Sequence, residues 1–170
     1  GLYQMNPDAS YKYDANGDPI PTYTDDDIRE FAKVFTGLSW GGANARFGRR
    51  WANYLVPMEM FDEYHEQGTK KLLNGFEIPA GQTGMEDIED AIDNVFNHSN
   101  VGPFIGRQLI QRLVTSNPSP QYVRRVAEAF ADNGLGVRGD MKAVIRAVLL
   151  DPEATADPGT YTQFGKLREP

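Results

Sequence analysis

The fold is decided by the stretch Asn100-Val101-Gly102-Pro103-Phe104-Ile105-Gly106-Arg107-Gln108-Leu109-Ile110-Gln111-Arg112-Leu113-Val114. At about 100° per residue, its apolar side chains cover most of the circumference of a helix over residues 101–114. A helix that is apolar nearly all round lies at the centre of a protein, because no side of it is suited to water. The pattern therefore predicts a mainly helical fold built around this segment.

Arg112 points into the apolar arc of that helix, whereas Arg107 and Gln111 share its narrow polar edge. A buried guanidinium must be paired, since an unpaired charge in the interior costs several kcal/mol. Arg112 is therefore expected to be the most buried arginine, in an ion pair with acidic segment 25–30 or with its head group snorkelling to water. The alternative is that Arg107 and Arg112 bind an anion at the floor of a pocket. Residues 94–127 contain no Asp or Glu, which gives this region a local positive field.

Four further helices are predicted from caps and helical spacing. Thr24 caps one with an acidic first turn, a capping box begins at Thr83, and Ser119 precedes a proline at the first helical position of the next. The last helix is expected over about residues 140–150. In the helix after Thr83, the side chains expected to face the core are Met85, Ile88, Ile92, Val95 and Phe96, and those expected to face water are Glu86, Asp87, Glu89, Asp90 and Asp93.

The sequence thus predicts a mainly α fold, an approximately five-helix bundle with an N-terminal β-hairpin arm and a small β element in a long connection. Residues 1–24 are expected to form the arm, and residues 25–155 the helical domain. Residues 38–82 carry no helical period and are expected to be an irregular insertion with short strands. Residues 156–170 are rich in proline and polar residues, which indicates a loose C-terminal tail.

The arm contains Asn16-Gly17 between two strand-like runs, a strong signal for a hairpin turn. A calcium loop is the alternative, because Asp14, Asn16 and Asp18 have alternating ligand spacing. The EF-hand pattern requires Gly at its sixth position, and Pro19 stands there. The pattern favours the hairpin.

Composition excludes several function classes. The chain has 170 residues, a net charge of −7, no cysteine and two histidines. The negative charge argues against broad binding to nucleic acid or anionic membranes. Without cysteine there are no disulfides or cysteine zinc sites, and two histidines cannot form a three-histidine metal site. No cofactor or metal is expected, and no apolar run approaches the roughly 18 residues of a membrane span.

His65 and Lys70 are the best candidates for catalysis, since both can transfer protons or bind anions. They lie in His65-Glu66-Gln67-Gly68-Thr69-Lys70, where a strand-like segment meets a glycine turn. If the protein has a site, it is expected where residues 64–75 meet the helices, with His65 and Lys70 at its rim. The serines lack a G-x-S-x-G setting, so no nucleophile is identified. A hydrogen-bonded structural role for His65 is the alternative.

The chain resembles the C-terminal part of a bacterial family catalogued as domain of unknown function eighteen hundred. The segments that carry the resemblance are residues 23–28 through 36–40, 65–75, 100–114 and 141–153. The family's His-Asp-x-Gly-x-Lys motif falls on His65, Gly68 and Lys70, with Glu66 in place of the aspartate.

This resemblance implies a longer parent protein with a helical N-terminal half, which is one expected partner of this chain. It also implies export to the periplasm or beyond, and a second partner from a gene neighbour of a sulfatase-like family numbered fifteen hundred and one. It implies no established activity. The start at Gly1-Leu2-Tyr3, without an initiator methionine, also indicates a piece of a longer protein.

Two functions remain open. The first is a non-catalytic binding or assembly module of an exported bacterial protein. The second is a hydrolase acting on sulfated or phosphorylated polymers through His65, Lys70 and Arg112. An enzyme requires these groups to converge around a pocket, whereas a binding module can instead carry an exposed apolar surface.

Overall fold

The computed structural model describes residues 2–48, 53–160, 165 and 166. Within them the chain is mainly helical, as predicted, with six helices and two small antiparallel sheets. The helices are α1 (Asp25–Val34), α2 (Gly84–Asn97), α3 (Val101–Leu113), α4 (Pro120–Ala131), α5 (Met141–Leu149) and α6 (Pro152–Thr155). The strands are β1 (Leu38–Ser39), β2 (Glu59–Met60), β3 (Lys70–Lys71) and β4 (Glu77–Ile78), paired β1 with β2 and β3 with β4.

Two compact units make up the chain. The first unit comprises Gly1–Thr22 and Ser99–Pro170, and the second unit comprises Tyr23–His98. Of the predicted tail, residues 161–164 and 167–170 lie outside the described part. Gly165 is hydrogen-bonded through its carbonyl to the amide of Ser116 and through its amide to the hydroxyl of Thr115.

The core of the first unit lies where α3 packs against α4 and α5. Ile110, Tyr122, Val126, Val144 and Val148 are all fully buried there. The Tyr122 hydroxyl donates to the Val148 carbonyl at 2.5 Å, so the one polar atom of this side chain is satisfied. Burial of Tyr122 raises the pKa of its phenol well above the usual value.

α3 packs on the core through small residues as well as Ile110, whereas Phe104 and Leu113 stay exposed. Its buried residues are Gly102, Pro103, Gly106 and Ile110. A Cβ added to Gly106 would lie 3.0 Å from a methyl carbon of Val126, so the absence of a side chain lets α4 approach closely. Arg112 is consequently exposed, and the prediction that it is the most buried arginine is wrong.

The arm turns at Asn16-Gly17, and Tyr13 pairs with Pro19 across that turn. The Asp14 carboxylate accepts the amides of Asn16 and Asp18, so it holds the turn together. A second turn brings Tyr11 back to Met5. The side chain of buried Asn100 then bonds the amide of Met5 and the carbonyl of Tyr3, which fixes the arm to the start of α3.

The second unit contains α1, α2 and both sheets, around a small core. Thr24 and Thr83 form the capping boxes that begin the two helices, as their sequences predict. The fully enclosed apolar residues are Val34, Leu72, Ile78 and Ala91, with Phe31 and Ile88 packed partly against them. Within the described residues, no helix is long and apolar enough to cross a membrane, and no cluster of three metal-binding side chains occurs.

The prediction for α2 is wrong for Met85, Ile92, Val95, Phe96 and Asp87, whereas Ile88 packs partly against the core and Glu86, Glu89 and Asp93 are exposed, as predicted. Its buried residues are Gly84, Asp87 and Ala91. The side chains that remain exposed are Met85, Ile92, Val95 and Phe96. Small residues and one carboxylate, rather than the large apolar side chains, face the interior of this unit.

We expect Gly106→Leu to lower the free energy of unfolding by at least about 1 kcal/mol, because the new side chain must displace α4. Gln108→Leu, on the exposed side of the same helix, is the matched control. Arg112→Met should change the free energy by no more than about 0.5 kcal/mol, as an exposed substitution does. Urea unfolding followed by circular dichroism measures all three. A large loss in Arg112→Met with none in Gly106→Leu would contradict the orientation of α3.

Candidate functional site

Residues 61–70 are held between α1 and α2 of the second unit by backbone contacts. The amide of Phe61 donates to the carbonyl of Gly37, the glycine that follows α1. One short helical turn later, the Asp62 carboxylate accepts the amide of Gly84 at the start of α2. A carboxylate is favourable there, because the first amides of a helix lack internal partners. These two contacts place His65 beside both helices.

Thr36 fixes the ring of His65. The Thr36 carbonyl lies 2.9 Å from His65 Nδ1, and its hydroxyl accepts the amide of Glu66 at 2.8 Å. A carbonyl can only accept, so Nδ1 carries a hydrogen and donates it. The other ring nitrogen, Nε2, then faces Asp87 Oδ2, at 2.9 Å. Each nitrogen of the ring thus has an oxygen partner.

Lys70 reaches the same carboxylate oxygen from the other side. Its Nζ lies 2.7 Å from Asp87 Oδ2 and donates to the carbonyls of Glu66 at 2.6 Å and Gly68 at 3.0 Å. An ammonium has three hydrogens, and all three are matched by these oxygens. The Glu66 carboxylate, 43% exposed, adds a longer contact of 3.4 Å. The loop of residues 66–70 is therefore folded around the ammonium group of Lys70.

The three polar side chains of His65, Asp87 and Lys70 form a buried cluster. Their exposed fractions are 0%, 1% and 2%. Burying charges costs several kcal/mol each, and this arrangement offsets that cost by pairing opposite charges. Asp87 Oδ1 is the remaining polar atom, and it is a buried oxygen without a hydrogen-bond partner. The second unit keeps its polar centre through the Asp87 oxygen that His65 and Lys70 share.

Glu30 extends the negative charge around Lys70 on the side of α1. A hydrogen bond from the Lys33 side chain holds the pKa of Glu30 below its usual range. The other Glu30 oxygen accepts the amide of Lys71 at 3.2 Å, so α1 is tied to β3. The loop that carries the His-x-x-Gly-x-Lys pattern is consequently fixed to both helices.

The structure brings His65 and Lys70 together, as the sequence led us to expect, but not at the rim of a site. Both are enclosed, and a substrate has no access to their nitrogens. Arg107 and Arg112 lie on the exposed side of α3 in the first unit. The second unit also has a cleft of about 500 Å³, lined in part by Trp40 and Asn53, to which none of these four residues contributes.

Sequence reasoning missed Asp87 and Thr36. Asp87 lies among acidic residues that are mostly exposed, so its residue type did not indicate that it is buried. Its spacing from Gly84 and Ala91, three and four residues away, was the available signal, because small residues at helical spacing mark a close packing face. Thr36 acts through its carbonyl and its hydroxyl, and its contact with His65, 29 residues along the chain, required the tertiary structure.

The fold and the cluster define a mainly helical protein whose polar residues brace its interior. Its family is shown by a family model described as "Protein of unknown function (DUF1800)", which matches residues 14–170. The chain belongs to that family. No curated protein and no solved structure matches it.

We expect Lys70→Met to lower the free energy of unfolding of the second unit by about 3–5 kcal/mol, because it leaves the Asp87 carboxylate buried with a single partner. Glu66→Gln is the matched control and should cost less than about 1 kcal/mol, since that carboxylate is partly exposed. Denaturant unfolding measures both. Equal stability of Lys70→Met and the unchanged chain would mean that the cluster does not brace the unit.

Proposed function

We propose that this chain is a non-catalytic assembly module of an exported bacterial protein. The observation that carries the proposal is the exposed apolar stripe of α2. Met85, Ile92, Val95 and Phe96 are 49%, 59%, 45% and 38% exposed. Ile92 lies seven residues after Met85, and Val95 and Phe96 lie three and four residues after Ile92, so all four share one side of the helix. An exposed apolar stripe of this kind favours contact with another polypeptide.

The small core of the second unit supports the same proposal. Among the described residues of this unit, the four enclosed apolar side chains bury little area, and a core of that size adds little stability. The large side chains that could enlarge a core stand on the surface of α2 instead. At roughly 25 cal/mol for each Å² removed from water, covering them would add substantially to the stability of the unit.

The buried cluster gives the stripe its orientation. On α2, Asp87 lies roughly 140° around the helix from Ile92, since successive residues are separated by about 100°. His65 and Lys70 hold α2 through their contacts with Asp87, so the apolar stripe of α2 is directed away from these two residues. The motif at residues 65–70 thus serves binding indirectly, by fixing the helix that carries the surface.

The hydrolase alternative meets one of its two requirements. His65 and Lys70 do converge on one carboxylate, as an acid–base group would. A general acid or base must also reach the proton that it transfers, directly or through one water. Side chains with 2% exposure or less cannot contact a polymer. A structural role for His65 and Lys70 explains why both contact Asp87 without requiring that a substrate reach them.

The partner in this proposal is a polypeptide of the same compartment, either another copy of this chain or a different exported protein. The sulfatase-like neighbour implied by the family resemblance is the first candidate from a separate gene. The helical N-terminal half of the parent protein is the candidate from the same chain. Both would be available in the periplasm or outside the cell, where we propose that the module works.

Photocrosslinking in the bacterium that makes the protein tests this function. A photoreactive amino acid placed at position 92 of α2 should join to a defined polypeptide, which mass spectrometry then identifies. The matched control is position 135, because Leu135 is 84% exposed and belongs to the first unit. We expect a discrete product from position 92 and none from position 135.

Two results would overturn the proposal. One is the same pattern of products from positions 92 and 135. The other is hydrolysis of a sulfated or phosphorylated polymer by the purified chain. For this result to count, Lys70→Met must abolish the hydrolysis while a stabilising additive keeps the variant folded.

A further inference from the structure

The stripe of α2 lies beside a row of carboxylates. Glu86, Glu89 and Asp93 are exposed and Asp90 is half-buried, all on the side of the helix next to Met85 and Phe96. A helix that covers the stripe must therefore bring apolar side chains to the centre and cations to one edge. An apolar partner without cations would leave this acidic edge uncompensated.

The first unit presents two exposed cations beside an exposed apolar side chain. On the exposed side of α3, Phe104 is 42% exposed and lies between Arg107 and Arg112 around the helix. Within the described residues, neither arginine forms an ion pair. Residues 94–127 contain no acidic residue that could neutralise them nearby.

The two helices also match in length. α2 has 14 residues and α3 has 13. At about 1.5 Å per residue, each is roughly 20 Å long. The stripe from Met85 to Phe96 extends over about three helical turns and the exposed row from Phe104 to Arg112 over about two, so the row can lie along most of the stripe.

We propose that α2 of one copy of this chain docks on α3 of a second copy. This inference rests on the proposed assembly function and names the occupant of the α2 stripe. The anions bound by Arg107 and Arg112 are then the carboxylates of Glu89 and Asp93 in the neighbouring copy. A contact between α2 helices of two copies is less favourable, because it brings two acidic rows together.

The docking has a direction. Each copy uses a different surface for each neighbour, so every pair leaves one α2 and one α3 unoccupied. A contact of this heterologous kind continues into a ring or an open filament rather than stopping at a two-fold dimer. The association should weaken with added salt, since part of the attraction is between exposed charges.

Sedimentation velocity of the complete 170-residue chain, from micromolar to millimolar concentration, tests the inference. The unchanged chain should form species larger than a dimer as its concentration rises. Glu89→Arg with Asp93→Arg, and separately Arg107→Glu with Arg112→Glu, should each weaken association at least about tenfold. Asp18→Arg with Glu63→Arg, an equal charge reversal away from both helices, is the matched control and should associate normally.

Mixing the two charge-reversed proteins gives the decisive result. The basic α2 of one variant fits the acidic α3 of the other, and the unreversed helices fit as well, so the mixture should associate although neither variant does alone. This rescue also shows that both variants are folded. A monomeric unchanged chain at every concentration, or no rescue on mixing, overturns the inference.

The two proposals fail separately. If position 92 crosslinks to a different polypeptide while the chain remains monomeric, the assembly function stands and the second copy is the wrong occupant. If position 92 crosslinks to nothing and the chain is monomeric, both proposals fail.

Discussion

The second unit depends on one carboxylate oxygen. Asp87 Oδ2 is approached by the ring of His65 at 2.9 Å and by the ammonium of Lys70 at 2.7 Å, and all three groups are enclosed. Within a low-dielectric interior such contacts are strong when complete and costly when broken. Because His65 is also bonded to Thr36, the cluster joins α1, the loop before β3, and α2. A unit with a small apolar core gains much of its definition from this arrangement.

The first unit is organised by a different constraint, namely close approach. Gly102 and Gly106 let α3 come near α4, and a Cβ on either would meet atoms of the facing helix at 3.2 Å or less. Dispersion forces act only at such short range, so small residues can hold two helices together as firmly as large ones. The large side chains of α3 are thereby free to lie beside or away from the contact.

Much of the fold could be predicted from local signals. Thr24, Thr83 and Ser119 cap helices where the sequence places caps, and Asn16-Gly17 turns the arm. These features depend on hydrogen bonds within a few residues. The sides of α2 and α3 could not be predicted in the same way, because counting large apolar residues ignores close packing at glycines and the large apolar side chains that stay exposed. Of the site, His65 and Lys70 were predicted together, while Asp87, which lies 22 residues from His65, required the tertiary structure.

The enclosure of Lys70 has a consequence for the chemistry of the folded protein. Primary amines of lysine are ordinarily open to acylating reagents and to trypsin, yet this one is 2% exposed and saturated with oxygen partners. It can react or be cut only when the second unit opens, so its rate of modification is governed by the equilibrium between closed and open forms. Lys71, its neighbour with a side chain 74% exposed, reacts from the closed form. The rate of modification of Lys70 relative to that of Lys71 therefore measures how often the second unit opens, even in a mixture of proteins.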